Sequence, residues 1–334
     1  MKTGFWTAIF FYLPADGLGI LACMTNNANF VPLARRDFLR LSAVALAAPA
    51  FLRWSAASAI AAADTSAPLK GRIYKSLKIG MVNVPGSLSD KFKLLKEVGF
   101  DGVEMDSPGM NVAETQKAIA ESGLPVDGTV CSSHWNIRNS DKDPAVRAKA
   151  LADLQQALRD THAVGGYSVL LVVGHGKDGT EREVWDRSIA NIRQALPLAA
   201  KLGVSILVEN VWNQFLYQHD GPENQSANQL RDYIDELNSP WVGVHFDIGN
   251  HQKYGKPAEW IRTLGKRIIK LDVKDWGKKA GWAKIGQGDV DWPAVRQALI
   301  DIGYSGWGAA EVSGGGREQL REVSEQMDQV FALK

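Results

Sequence analysis

From about Lys70 onward, short apolar runs alternate with longer stretches whose apolar positions recur at helical spacing. The runs are Leu77–Val82, Gly102–Met105, Pro125–Cys131, Ser168–Val173, Ser205–Glu209, Val242–Asp247, Ile268–Val273 and Gly306–Val312. Between them Phe92, Leu95 and Val98 share one helix face, as do Val146, Ala150, Leu154 and Leu158. The second group follows Asp143-Pro144, a cap residue with proline in the first turn. Ile189, Ile192 and Leu196 follow the fourth run, and Asp291 with Pro293 opens a helix over Ala294–Ile302. Strands that are apolar along most of their length and separated by helices predict a parallel sheet. Eight such units predict an α/β fold, a closed (β/α)8 TIM barrel forming a single domain. A doubly wound open sheet is the competing architecture. No G-x-G-x-x-G follows the first strand, and Gly314-Gly315-Gly316 comes only after the last.

The pattern upstream is different. Arg35-Arg36-Asp37-Phe38-Leu39-Arg40 precedes an alanine-rich apolar run from Leu41 to Leu52, and Ala59-Ile60-Ala61 or Ala61-Ala62-Ala63 offers a cleavage site. A charged start, a short apolar core and an A-x-A end predict an export signal over residues 1–63, with the barrel over 64–334. The paired arginines resemble a twin-arginine signal, which implies the twin-arginine export machinery as a partner and a periplasmic or otherwise exported protein. Such a motif sits near a chain start, so Met24 is the expected first residue. An N-terminal membrane anchor is the alternative; the run is too short for a stable span, and none is expected in the mature form. Without the signal only Cys131 remains, so no intrachain disulfide is expected.

Composition excludes more than it assigns. With 334 residues, 45% hydrophobic, 22% charged and 2 Cys, the chain is neither disordered nor disulfide-built. A net charge of +1 argues against a nucleic-acid partner. The 11 Trp suit a sugar or aromatic ligand.

Barrel chemistry gathers at the C-terminal strand ends. In order those ends present Glu104, His134, His175, Glu209, Asp247, Asp272 with Lys274, and Glu311. The fifth to eighth strands thus each send a carboxylate, Glu209, Asp247, Asp272 and Glu311, to one rim, with neighbouring strands about 4.8 Å apart. Left bare, such a cluster repels itself and raises its own pKa values. A divalent cation with oxygen ligands resolves the repulsion.

Val208-Glu209-Asn210, Phe246-Asp247-Ile248-Gly249-Asn250 and Ala310-Glu311-Val312 resemble the sugar phosphate isomerase/epimerase family with the xylose-isomerase-like TIM barrel. The likeness extends to Leu264–Lys270 and to Gly286–Trp292. It implies one divalent metal ion (Mn²⁺, Mg²⁺ or Co²⁺) on Glu209, Asp247, the seventh-strand position and Glu311. Relatives carry His-x-Lys at that position, where this chain has Asp272-Val273-Lys274. The resemblance also implies proton transfer beside a ketose carbonyl, with Glu209 and Glu311 flanking a small-molecule carbohydrate. Lys274 can steady an enolate oxygen or merely balance the acids. His134 and His175 can bond sugar hydroxyls or serve only as loop residues; Glu104 at the rim and Trp135 as an apolar platform complete the substrate-binding candidates. Three functions stay open: an isomerase or epimerase of free sugars, a metal-dependent lyase or hydratase of 3-keto-glycosides, and a sugar-binding barrel without turnover.

Overall fold

Each apolar run is bounded by residues that stop a strand and start a helix. The computed structural model describes residues 68–219 and 221–334, together with three short upstream strands, Phe11–Leu13, Ile20–Met24 and Phe30–Pro32, paired antiparallel in that order. Arg35-Arg36 and the expected cleavage sites lie outside the described residues. The main unit has strands β1 (Ile73–Leu77), β2 (Val103–Ser107), β3 (Val126–Cys131) and β4 (Ser168–Leu171). It continues with β5 (Ser205–Glu209), β6 (Val242–Asp247), β7 (Ile268–Val273) and β8 (Gly306–Ala310). All pair in parallel in the order β1-β8-β7-β6-β5-β4-β3-β2. A bridge between Lys78 and Glu104 joins the two ends, so the sheet forms a nearly closed (β/α)8 barrel.

The outer layer holds α1 (Leu88–Glu97), α2 (Val112–Ser122), α3 (Pro144–Ala163), α4 (Glu181–Arg193) and α5 (Leu196–Leu202). Then come α6 (Asn228–Leu237), α7 (Ile248–Gln252), α8 (Pro257–Leu264), α9 (Trp292–Asp301) and α10 (Arg317–Phe331). Local chemistry fixes their starts. Ser87 with Asp90 and Thr180 with Glu183 form reciprocal capping boxes, while Asp143 and Asp291 cap helices that carry proline in the first turn. Between strands and helices, Phe92, Tyr233, Phe246 and Trp260 are buried in one continuous apolar core. No helix among the described residues is long and apolar enough to cross a membrane.

The first strand lies earlier than its apolar run predicts. Residues 77–82 were expected to be extended, yet Ile79–Met81 is a 3-10 turn and the strand is Ile73–Leu77. Its buried polar residues hide it: Lys75 reaches Asp328 at 2.6 Å, and the Ser76 hydroxyl donates to Asp127 at 2.6 Å. The barrel interior is polar below the rim, where Lys270 Nζ sits 2.5 Å from Glu104 and 2.8 Å from Asp127. After β7 a short hairpin, Asp275–Gly277 against Gly281–Ala283, rises above the barrel mouth. Buried Asp275 anchors it by accepting from the Gly286 N–H and Trp292 Nε1, both at 2.9 Å.

Candidate active site

Inward positions repeat every second residue along a strand, so the strand ends deliver polar side chains to one mouth. Glu209 closes β5, Asp247 closes β6, Asp272 is the last but one residue of β7, and Glu311 directly follows β8. Each offers a carboxylate oxygen, and these atoms all lie within 4.8 Å of one another. Oxygen ligands about 2.0–2.6 Å from one hard cation span that separation. Asn210 and Asn250 hold the two middle strands in step. The Asn210 side chain donates to the Asp247 carbonyl at 2.9 Å and accepts from the Asp247 N–H at 2.8 Å. Asn250 Nδ2 donates to Glu209 at 3.3 Å. Gly249 lets the end of β7 pass close by, since a Cβ there would meet Lys274 Cγ at 2.5 Å.

Two lysines enter this cluster. Lys274 Nζ is 2.8 Å from Asp247 and bonds Glu311 closely. Lys78 Nζ is 2.9 Å from Asp272, 3.3 Å from Glu311 and 3.6 Å from Glu104. Burial alone would discharge both amines, but the surrounding carboxylates outweigh it and raise both pKa values. The acids respond differently. Burial, reinforced by the Glu311 charge, pushes Glu209 well above the usual carboxylate range, and burial takes Asp247 to about 7. Burial also opposes ionisation of Asp272, yet His245 (Nε2 3.0 Å away) and Lys78 prevail and hold it well below that range.

Four carboxylates against two ammonium groups leave a formal excess of two negative charges, which one divalent ion cancels. Asp247 Oδ2 and Asp272 Oδ1 are buried, and each faces a cationic or ring nitrogen, Lys274 Nζ at 2.8 Å and His245 Nε2 at 3.0 Å. Oxygen donors and charge therefore both fit a hard cation.

The cluster opens on a cavity of about 750 Å³, with Glu209, Glu311, Lys78, Lys274, His134 and Trp135 in its walls. His134 Nδ1 accepts from the Val172 N–H at 3.1 Å, and burial lowers its pKa to about 3. The ring is thus neutral and keeps its proton on Nε2. Trp135 is half exposed at the mouth.

Two candidates fall elsewhere. Glu104 is not in the cavity wall; β2 runs on to Ser107 rather than stopping at Met105, which sinks Glu104 one layer below the rim onto Lys270. Asp106 lines the cavity in its place. His175 also lies off the cavity wall and caps the turn Gly176–Asp178, its Nδ1 accepting from the Lys177 N–H at 3.0 Å. Lys78 and His245 were not anticipated. Lys78 directly follows the true end of β1, where the strand-end rule would have found it. His245 is two residues before Asp247, on the same face one layer down.

A family model described as xylose isomerase-like TIM barrel matches residues 92–330. L-ribulose-5-phosphate 3-epimerase UlaE of Salmonella paratyphi A is 26% identical over 235 residues, 65% of this chain and 79% of the relative. Among solved structures, 3-keto-D-glucoside 4-epimerase YcjR from E. coli aligns with TM-score 0.64 at 19% identity, covering 78% of this chain and 99% of that one. The IOLI protein, solved with a bound zinc atom, aligns with TM-score 0.64 at 14% identity, covering 78% and 98%.

Proposed function

The chain belongs to the xylose isomerase-like TIM barrel family, and from that premise we propose a divalent-metal-dependent sugar isomerase or epimerase acting beside a ketose carbonyl. The observation that carries this reading is the four-carboxylate cluster, of which Glu209 and Glu311 face the cavity while Asp247 and Asp272 lie buried behind them. Glu209, Asp247, Asp272 and Glu311 would hold one Mn²⁺, Mg²⁺ or Co²⁺, which when bound polarises the carbonyl as a Lewis acid. Glu209 and Glu311 flank the substrate; one takes the α-proton and the other returns a proton. Burial and the neighbouring Glu311 charge raise the pKa of Glu209, the direction a general base requires. Lys274 and Lys78 face the same space and offset charge growing on the enolate oxygen, while His134 Nε2–H donates to a sugar oxygen.

Incubating metal-loaded protein with free ketoses and 3-keto-glycosides in deuterated water tests the proposal. An epimerase incorporates deuterium at the α-carbon; a sugar-binding barrel does not, and absence of exchange across both classes would reject the reading. The fold likeness to a 3-keto-D-glucoside 4-epimerase favours the keto-glycosides as a second substrate class, and product analysis separates epimerisation from elimination or hydration.

Asp272 is where the chain departs from the His-x-Lys pattern. If it is a ligand, Asp272→Ala should weaken Mn²⁺ binding by more than the about 10–100-fold that losing an outer partner of a ligand costs, and Asp272→His should restore binding and shift preference toward Zn²⁺ or Co²⁺. Titration calorimetry of both variants decides this. Unchanged affinity would reduce Asp272 to a brace for Lys78 and His245.

Export through the twin-arginine route is part of the same proposal, resting on Arg35-Arg36 ahead of a weak apolar run. Replacing both arginines by Lys should leave uncleaved precursor in the cytoplasm, visible on fractionation. Unaltered secretion would remove the assignment.

A further inference from the structure

Beside the deep cavity lies a second, of about 550 Å³, which shares Lys274 and Glu311 with the first. Its walls are the hairpin residue Trp282 and, from α10, Gln319, Glu322 and Gln326. We infer that this second cavity holds the aglycone ring of a glycoside or disaccharide whose reactive ring occupies the deep cavity. The inference rests on the sugar reading above and narrows its substrate class.

Trp282 is 51% exposed, one of three exposed large hydrophobic residues among those described. An indole left in water forgoes a large burial gain. Yet this one is held firmly. It stacks on Trp212 with centroids 4.9 Å apart and planes at 21°, and Lys274 Nζ lies 4.9 Å from its ring centre. Trp212 is fixed in turn by its Nε1 donating to the Asn250 carbonyl at 2.8 Å and by Lys253 at 4.4 Å from its ring. The indole is therefore braced without being covered, as a preorganised binding platform requires.

The helical wall supplies the complementary chemistry. Glu322 receives Lys284 Nζ at 2.7 Å and Gln326 Nε2 at 3.1 Å, while Gln319 Nε2 bonds the Ser313 carbonyl at 2.8 Å. An aromatic surface beside amides and a carboxylate matches a sugar ring, whose C–H face stacks and whose hydroxyls both donate and accept. A free monosaccharide in the deep cavity would leave this arrangement unused. Continuity through Lys274 and Glu311 puts the second ring next to the reacting one.

The test is titration calorimetry with glucose, cellobiose, maltose and trehalose, followed by deuterium exchange into their 3-keto derivatives. At least one disaccharide should bind about tenfold or more tightly than glucose. Trp282→Ala should erase most of that preference, and Trp282→Phe, which keeps an aromatic face and guards against a folding artefact, should retain much of it. Equal affinity for glucose and all three disaccharides, or an undiminished preference in Trp282→Ala, would overturn the inference. Disaccharide preference without deuterium exchange would sink the epimerase reading and uphold the second-ring site. Exchange into single-ring ketoses with no disaccharide preference would do the reverse.

Discussion

Glu209→Gln and Glu311→Gln should each lower deuterium exchange at the substrate α-carbon by about 10²–10⁴-fold, the scale of a lost general base. Glutamine keeps the shape and one oxygen ligand but cannot take up a proton at neutral pH. At position 209 the Asn250 side chain still finds an acceptor, so α7 after β6 should stay in place. At position 311 the change removes the charge that Lys78 and Lys274 share. Metal content, read by elemental mass spectrometry, should therefore fall only modestly in both variants while exchange collapses. A proton removed and returned on one face by a single acid would leave the α-carbon's configuration unchanged. Epimerisation needs it to leave one face and return to the other, which Glu209 and Glu311 on opposite sides would provide. Should both variants keep near-normal exchange with metal bound, the proton passes through another pair, and Lys274 with His134 would be the next to change.

The rim acids were legible because each lies at or within one residue of the end of an apolar run. β5 reads Ser-Ile-Leu-Val-Glu and β6 Val-Gly-Val-His-Phe-Asp, so strand end and acid coincide, and the barrel's rule about its C-terminal face does the rest. Less of β1 could be read. Ile-Tyr-Lys-Ser-Leu is buried through Lys75 and Ser76, whose partners Asp328 and Asp127 lie far along the chain. With that strand misplaced, Lys78 fell inside it instead of at its end. Glu104 failed in the opposite sense: a strand drawn too short raised it to the rim, where only Asp106 belongs. Apolar periodicity locates strands whose interior is apolar, and it shifts where the barrel interior is charged. The second cavity was illegible for a different reason. It joins a hairpin after β7 to a helix after β8, and no local pattern records that approach.

The interior charge also carries the largest stability prediction. Lys270→Met should destabilise the fold by about 3–5 kcal/mol at pH 7, the usual cost of stranding the partner of a buried ion pair. Lys270 is fully buried, and its ammonium lies between Glu104 and Asp127, themselves buried. In the wild-type protein burial pushes the Glu104 carboxyl up, but Lys270 and Lys78 more than offset this and hold its pKa below the ordinary value. Without the ammonium the Glu104 carboxyl faces a low-dielectric interior, and its folded-state pKa should rise above the unfolded value of about 4. The variant fold then binds more protons than the unfolded chain, so its deficit should shrink as pH falls from 7 toward 5 and grow as pH rises. Urea denaturation at pH 7 and pH 5 measures this directly. Adding Glu104→Gln to Lys270→Met should recover part of the loss by removing one stranded charge. Equal midpoints for wild type and Lys270→Met at pH 7 would mean that the interior is not charged as its geometry implies. Because Glu104 also lies 3.6 Å from Lys78, losing Lys270 should disturb the rim from below and cost turnover before it costs the fold.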